Sequence, residues 1–124
     1  MYKNKLKLLS LIFLIPLMIS LQGCSKDSSN PTNSTPQNEN EIFLQSMSFS
    51  PSSKTVAVGT TITWTNKDNF SHNVTSGTPG APDGKFSSGN MGGGATYSFT
   101  FATAGTYKYF CSIHPSMTGT IIVQ

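Results

Sequence analysis

The sequence contains no arginine, and charged residues make up only 10% of its 124 residues. Its formal charge of +3 comes from eight lysines against five acidic residues, and three of those lysines lie within the first seven residues. Without these three, the rest of the chain has no net charge. A nucleic-acid-binding protein needs a persistent basic face that displaces counterions from phosphate groups. The charge distribution therefore excludes a nucleic-acid partner.

Cysteine and histidine are also scarce, with two of each in the chain. Two cysteines are too few for a zinc module built on four cysteines, and the acidic residues form no repeated pairs of the kind that hydrolytic sites use. One of the cysteines, Cys24, lies in the N-terminal part of the chain. A single cysteine is left for the folded part, where an internal disulfide is therefore excluded.

Residues 1–23 have the pattern of a signal peptide for export. Three lysines precede an apolar run, Leu8 to Ile19, which is shorter than the about 20 apolar residues that a membrane span needs. The segment Leu21-Gln22-Gly23-Cys24 resembles the lipobox of bacterial lipoproteins. This resemblance implies that Cys24 is lipidated and anchors the exported protein in a membrane, facing the periplasm or the cell exterior. An ordinary signal peptide that leaves Cys24 as a free thiol is the alternative.

Residues 24–41 begin with Cys24 and continue as a polar linker. Its stretch from Ser25 to Asn40 has no apolar side chains other than those of its prolines. Such a segment cannot bury enough apolar surface to offset the entropy lost on ordering. We therefore expect a flexible, disordered tether between the leader and a folded domain over residues 42–124.

The folded domain is predicted to be all-β, because it is rich in threonine, valine, isoleucine and aromatic residues. Ile62 and Trp64 alternate with Thr61 and Thr63, giving one apolar and one polar face, which is typical of an antiparallel β-sandwich with Trp64 in its core. Residues 77–94 are weakly patterned and receive no assignment. The predicted strands are Ile42–Phe49, Lys54–Val58, Thr60–Thr65, His72–Ser76, Ala95–Phe101, Thr106–Cys111 and Thr118–Val123.

Side chains that bind soft metals are concentrated in one short segment of this domain. Cys111, His114 and Met117 fall within seven residues between two predicted strands, and the other histidine, His72, opens an earlier strand. Thiolate, imidazole and thioether form a ligand set suited to copper and poorly suited to magnesium or calcium. Two imidazoles, one thiolate and a weak axial thioether describe a type 1 copper centre for electron transfer.

Other interpretations of the same residues remain open. Met117 could fill a gap in the core, Cys111 could be a small buried apolar residue, and His72 and His114 could be ordinary polar residues of an adhesion-type sandwich. A zinc site with an open position would use the same histidines and thiolate. A thiol enzyme would use Cys111 as nucleophile and a histidine as base. No acid or amide is obviously placed to orient that histidine, so we expect a protein that is not an enzyme.

Several short segments of the folded domain together resemble one known family. They are Phe49-Ser50-Pro51, Val56-Ala57-Val58-Gly59, Ile62-Thr63-Trp64-Thr65-Asn66, His72-Asn73-Val74, Gly105-Thr106-Tyr107-Lys108-Tyr109-Phe110-Cys111 and His114-Pro115-Ser116-Met117. The family that they resemble is the cupredoxins of the plastocyanin/amicyanin type, which are type 1 blue copper proteins. The resemblance covers nearly all of residues 42–124, and the short loop from cysteine to methionine is similar to that of amicyanin.

The resemblance implies an eight-stranded Greek-key sandwich with one copper ion that cycles between Cu(I) and Cu(II). The implied metal ligands are His72, Cys111, His114 and Met117. It further implies that Asn73 hydrogen-bonds to the Ser112 region. The implied function is a monomeric, membrane-tethered carrier of single electrons between transient redox partners, and a periplasmic copper carrier or buffer with the same ligands is the alternative.

A contact surface for such partners is also predicted around His114. We expect an apolar rim with few large side chains, through which His114 meets a partner protein. The residues assigned to this rim are Pro79, Ala81, Met91, Gly92–Gly94 and Pro115. The absence of net charge argues against strong electrostatic steering to one highly charged partner.

Overall fold

The computed structural model describes residues 38–124 of the chain. The predicted leader (residues 1–23), Cys24 and most of the linker lie outside the described residues, so their boundaries stay predictions. In the part of the chain that the structure does describe, no helix is long and apolar enough to cross a membrane.

The secondary structure of residues 38–124 consists of nine β-strands, which confirms the predicted all-β class. In chain order the strands are β1 (Glu41–Gln45), β2 (Ser48–Ser50), β3 (Ser53–Val56), β4 (Thr60–Asn66), β5 (Thr75–Thr78), β6 (Ala81–Ser87), β7 (Thr96–Phe101), β8 (Gly105–Phe110) and β9 (Thr118–Val123).

The strands form two sheets that enclose an apolar core between them. One sheet has the order β2-β1-β4-β7 and the other β3-β9-β8-β5-β6. The predicted core position of Trp64 is confirmed, since this side chain on β4 is fully buried. Its ring meets that of Tyr109, on β8 of the opposite sheet, edge-on with 5.5 Å between centroids. Buried aromatic pairs of this kind stabilise the fold beyond the area they bury, by about 0.5–1.5 kcal/mol.

The sheets differ from the expected antiparallel sandwich of eight strands in two ways. β1 runs parallel to β4, and β3 runs parallel to β9, because the chain crosses from one sheet to the other after β2 and back again after β3. The unassigned stretch contributes an extra edge strand, β6, which pairs with β5. Only Phe86 is buried along β6, so the sequence shows no alternation there.

The strand predicted over residues 42–49 is in fact two strands joined by a tight turn. Ser46 and Met47 have positive φ angles of 52° and 60°, and they reverse the chain so that β2 pairs back onto β1. Residues other than glycine rarely adopt this left-handed conformation. The backbone N–H groups of both residues donate to the carboxylate of Asp68, 22 and 21 residues away in the chain. The turn therefore depends on a tertiary contact that the local sequence does not show.

The strand directions bring two loops together at one end of the sandwich. β8 ends there, and β5 and β9 begin there, as their pairing registers require. β4 also ends there, because the side chain of its last residue, Asn66, donates to the Phe70 carbonyl in the loop that leads into β5. We call this end, formed by residues 67–74 and 111–117, the site end. The chain enters β1 and leaves β9 at the opposite end, where the N–H of Gln124 donates to the carbonyl of Val56 at 3.0 Å.

A close contact between β8 and β9 gives a test of the packing. Gly119 lies opposite Tyr109, and a Cβ atom at Gly119 would overlap the buried Tyr109 ring. Gly119→Ala is expected to lower the free energy of unfolding by about 1–3 kcal/mol, the usual cost of overpacking a core. Urea denaturation measures this. Gly92→Ala is the control, since a Cβ there meets no atom within 4 Å, and equal stability of the two variants would contradict the packing described here.

Candidate metal centre

The two loops of the site end bring three of the four predicted metal ligands together. The Nδ1 atoms of His72 and His114 are 3.1 Å apart, and the Cys111 Sγ atom lies 3.9 Å and 3.8 Å from them, respectively. A point equidistant from these three atoms is about 2.1 Å from each, which matches metal–imidazole and metal–thiolate bonds of about 2.0–2.3 Å. The donors are thus spaced to hold one metal ion.

Met117, the fourth predicted ligand, closes the loop that begins at Cys111. The Cys111 N–H donates to the Met117 carbonyl at 3.0 Å, and the Met117 N–H donates to the His114 carbonyl at 2.9 Å. These bonds fold the segment back on itself, and the Met117 side chain is buried. Backbone hydrogen bonds within one short loop therefore position three potential ligands.

Asn73 ties this loop to the one that carries His72. Its Oδ1 atom accepts a hydrogen bond from the Ser112 N–H, and its Nδ2 atom donates to the Ser112 hydroxyl, both at 2.8 Å. The backbone N–H of Asn73 points at the Cys111 sulfur at 3.3 Å. This contact is a further link between the loop that carries His72 and the loop that begins at Cys111.

The site is deeply buried on one side and approaches the surface on the other. Cys111 and His72 are 0% exposed, whereas His114 is half-buried. The ring of Phe70 packs edge-on against both histidines, with centroid distances of 4.9 Å to His72 and 5.9 Å to His114. Phe70 and Ile113 are each 42% exposed. His114 is therefore the potential ligand closest to solvent, and exposed apolar side chains flank it.

The predicted apolar rim is wrong for three of its members. β5 runs away from the site end, so Pro79 and Ala81, in the β5–β6 hairpin, lie far from His114. Met91 is buried, and its backbone pairs with that of His72. The exposed apolar side chains beside His114 are instead those of Phe70 and Ile113. Their exposure depends on how the two loops pack, which the sequence alone does not show.

Asp68 also belongs to the site, although the sequence did not single it out. Its Oδ2 atom lies 2.8 Å from Nε2 of His72, which corrects the expectation that no acid is placed to orient a histidine. Burial raises the pKa of Asp68, but hydrogen bonds from His72 and from the backbone of Ser46 and Met47 outweigh this and hold it below its ordinary value. The only feature of the sequence that links Asp68 to the site is its position four residues before His72. This spacing brings side chains together in a helix but predicts no contact in a loop.

Comparison with known proteins identifies the family of this chain. Residues 36–124 match the family model of copper binding proteins of the plastocyanin/azurin family. The chain belongs to this family. Plastocyanin from Scenedesmus fuscus is 40% identical over 84 residues, which cover 61% of this chain and 86% of that protein. Amicyanin from Paracoccus denitrificans is 33% identical over 93 residues, covering 67% of this chain and 63% of that protein.

Solved structures agree with the sequence comparison. A purple cupredoxin from Nitrosopumilus maritimus superposes with a TM-score of 0.62 at 32% identity, and the match covers 68% of this chain and 98% of that one. The predicted cupredoxin fold and the predicted type 1 copper cofactor are thereby confirmed. The donor set described above, one thiolate and two imidazoles with a buried thioether in the same loop, suits that metal.

Proposed function

We propose that this cupredoxin is an exported, single-electron carrier that holds its copper ion with His72, Cys111, His114 and Met117. Bound copper supplies a one-electron couple between Cu(I) and Cu(II). The observation that carries the proposal is the convergence of two imidazole nitrogens and one thiolate within 3.1–3.9 Å of each other. The relatives named plastocyanin and amicyanin support the same reading.

The surroundings of these ligands favour a carrier that keeps its metal. Cys111 and His72 are fully buried, and Asn73 holds their two loops together through Ser112. A ligand set fixed in this way cannot rearrange much between oxidation states, so little energy is spent on reorganisation when an electron arrives or leaves. A copper carrier or buffer, which must release its ion to a partner, would gain nothing from such rigidity.

The rival interpretations fit the site less well. Cys111, His72 and Asp68 lie in the order expected of a nucleophile, base and orienting acid, but the thiol and the base are completely buried, and a substrate could not reach them. A zinc site would have no use for the buried thioether of Met117, since zinc prefers nitrogen, oxygen and thiolate ligands. Copper accommodates all four side chains.

Visible spectroscopy with Cu(II) tests the proposed ligands. The full-length protein is expected to develop an intense visible band from thiolate-to-copper charge transfer, and Cys111→Ala should abolish it. Cys24→Ala removes the only other cysteine and should keep the band. Repeated oxidation and reduction without loss of copper is expected, whereas release of the ion at each reduction would favour the carrier alternative. A native protein without the band would overturn the copper assignment.

We propose further that partners dock on the exposed apolar surface around His114. Ile113, Phe70 and Pro115 are all exposed and lie beside the potential ligand closest to solvent. Transient redox partners use small interfaces, and a small apolar patch without strong charge suits short-lived contacts. An electron would therefore pass through the His114 side of the site.

Charge placed on this surface should slow electron exchange. Two copies must meet at their site ends to exchange an electron. Ile113→Lys is therefore expected to lower the self-exchange rate about fivefold, because two like charges about 4 Å apart in water repel by about 1 kcal/mol and 1.4 kcal/mol is a factor of ten. NMR of mixtures of oxidised and reduced protein measures this rate. Val58→Lys is the matched control, because Val58 is 51% exposed at the opposite end. Equal rates in both variants would exclude this docking surface.

The proposal includes a membrane anchor at Cys24, which the leader pattern of residues 1–23 supports. In cells, native protein is expected in the membrane fraction and labelled by radioactive palmitate, whereas Cys24→Ala should lose the label. A native protein that carries no label would contradict the lipid anchor and favour an ordinary signal peptide.

A further inference from the structure

We propose that Asp68 is a positioning residue of the metal centre, whose carboxylate fixes the orientation and the ring proton of His72 and strengthens the donation of this imidazole to copper. The inference deepens the proposed function and rests on it, because it takes His72 to be a copper ligand.

The two nitrogens of the buried His72 ring face different partners. Nδ1 faces the Cys111 sulfur and the His114 ring, at 3.9 Å and 3.1 Å, while Nε2 faces Oδ2 of Asp68 at 2.8 Å. A carboxylate only accepts hydrogen bonds, so the proton between the two groups lies on Nε2. The lone pair of Nδ1 is then directed at the metal position, and a flipped ring would lose both arrangements.

The carboxylate that holds His72 is itself held on several sides. Its Oδ1 atom accepts from the Ser46 N–H at 2.9 Å, and the Asp68 N–H donates to Oδ1 of Asn66 at 3.0 Å. Asn66 is fully buried. Gly93 lies in the connection between β6 and β7, and a Cβ atom on it would lie 2.7 Å from the Asp68 carbonyl oxygen. The loop that contains Asp68 therefore packs tightly against the β6–β7 connection. Asp68 therefore cannot move without disturbing its neighbours.

The left-handed turn between β1 and β2 is part of this support. Ser46 and Met47 adopt positive φ angles, and this conformation aims both of their N–H groups at the Asp68 carboxylate. Hydrogen bonds from an amide to a charged acceptor are among the stronger ones in proteins. The anion thus stabilises the turn, and the turn in return fixes the anion against His72.

A hydrogen bond to a carboxylate makes a metal-bound imidazole a stronger donor, which favours the more highly charged Cu(II) over Cu(I). Removal of such a partner usually lowers metal affinity about 10–100-fold. Each factor of ten by which the loss for Cu(II) exceeds the loss for Cu(I) raises the reduction potential by about 59 mV. Asp68 is therefore expected to tighten copper binding and to lower the reduction potential.

Asp68→Asn tests the inference in the copper-loaded protein. We expect weaker Cu(II) binding by competition titration and a higher reduction potential by voltammetry. Asp83→Asn is the control, since it removes the same charge from a surface carboxylate that pairs with Lys85 at 2.8 Å, and it should leave both quantities unchanged. The same affinity and potential in the two variants would overturn the inference and leave the copper site itself standing.

A second variant separates positioning from general stability. Asp68→Asn weakens the turn at Ser46 and Met47 and is expected to lower thermal stability. Met47→Gly removes the steric cost of the positive φ angle at this position and keeps the N–H group. The double variant Asp68→Asn/Met47→Gly is therefore expected to regain thermal stability while its reduction potential stays above the native value. A potential that returns to the native value along with stability would show that Asp68 acts only on folding, which would overturn the inference.

NMR of the metal-free native protein tests the same hydrogen bond without any variant. The His72 ring is expected to carry its proton on Nε2, with slow exchange against solvent. A proton on Nδ1 would overturn the role of Asp68 whether or not copper binds. A native protein that shows this Nε2 proton but binds no copper would instead contradict the proposed function, so the two failures are distinguishable.

Discussion

The metal centre depends on one cross-link, the set of hydrogen bonds that Asn73 makes across the site end. The residue follows His72 directly, and its side chain holds Ser112, which follows Cys111 directly. The loop that carries His72 leads into β5, and β5 pairs with β8, the strand that precedes Cys111. The Asn73 bonds add a direct side-chain link between the two loops beyond this strand pairing. The donor atoms are spaced to surround one metal ion, because this link and the backbone bonds of the Cys111–Met117 loop both act within a few residues of them.

The fold could be predicted from the sequence wherever a strand has one buried and one exposed face. β4 shows this best, since Ile62 and Trp64 are buried while Thr61 and Thr63 are not. Prediction failed where burial or backbone conformation is decided by distant residues. β6 is an exposed edge strand without alternation, and the turn at Ser46 and Met47 is held by Asp68, so neither left a pattern in its own segment.

The same distinction applies to the site. Cysteine, histidine and methionine in a short loop carry their chemistry in their side chains, so the candidate ligands were visible as a group. Asp68 and Phe70 are ordinary residues whose role comes from contacts with the histidines, and only the folded chain shows those contacts. The residue types of the candidate ligands can thus be recognised from a short segment of sequence. The residues that orient and surround these ligands are determined by the packing of the folded chain.

The direction of the strands has a practical consequence for how this molecule can be used. Asn38 and Gln124 both lie at the end remote from the histidines, separated from them by the length of strands such as β9, which is about 20 Å for six residues. A fusion partner, an affinity tag or a linker to an electrode surface attached at either terminus of the domain would leave the metal-bearing face unobstructed. The architecture thereby separates the points of attachment from the metal centre.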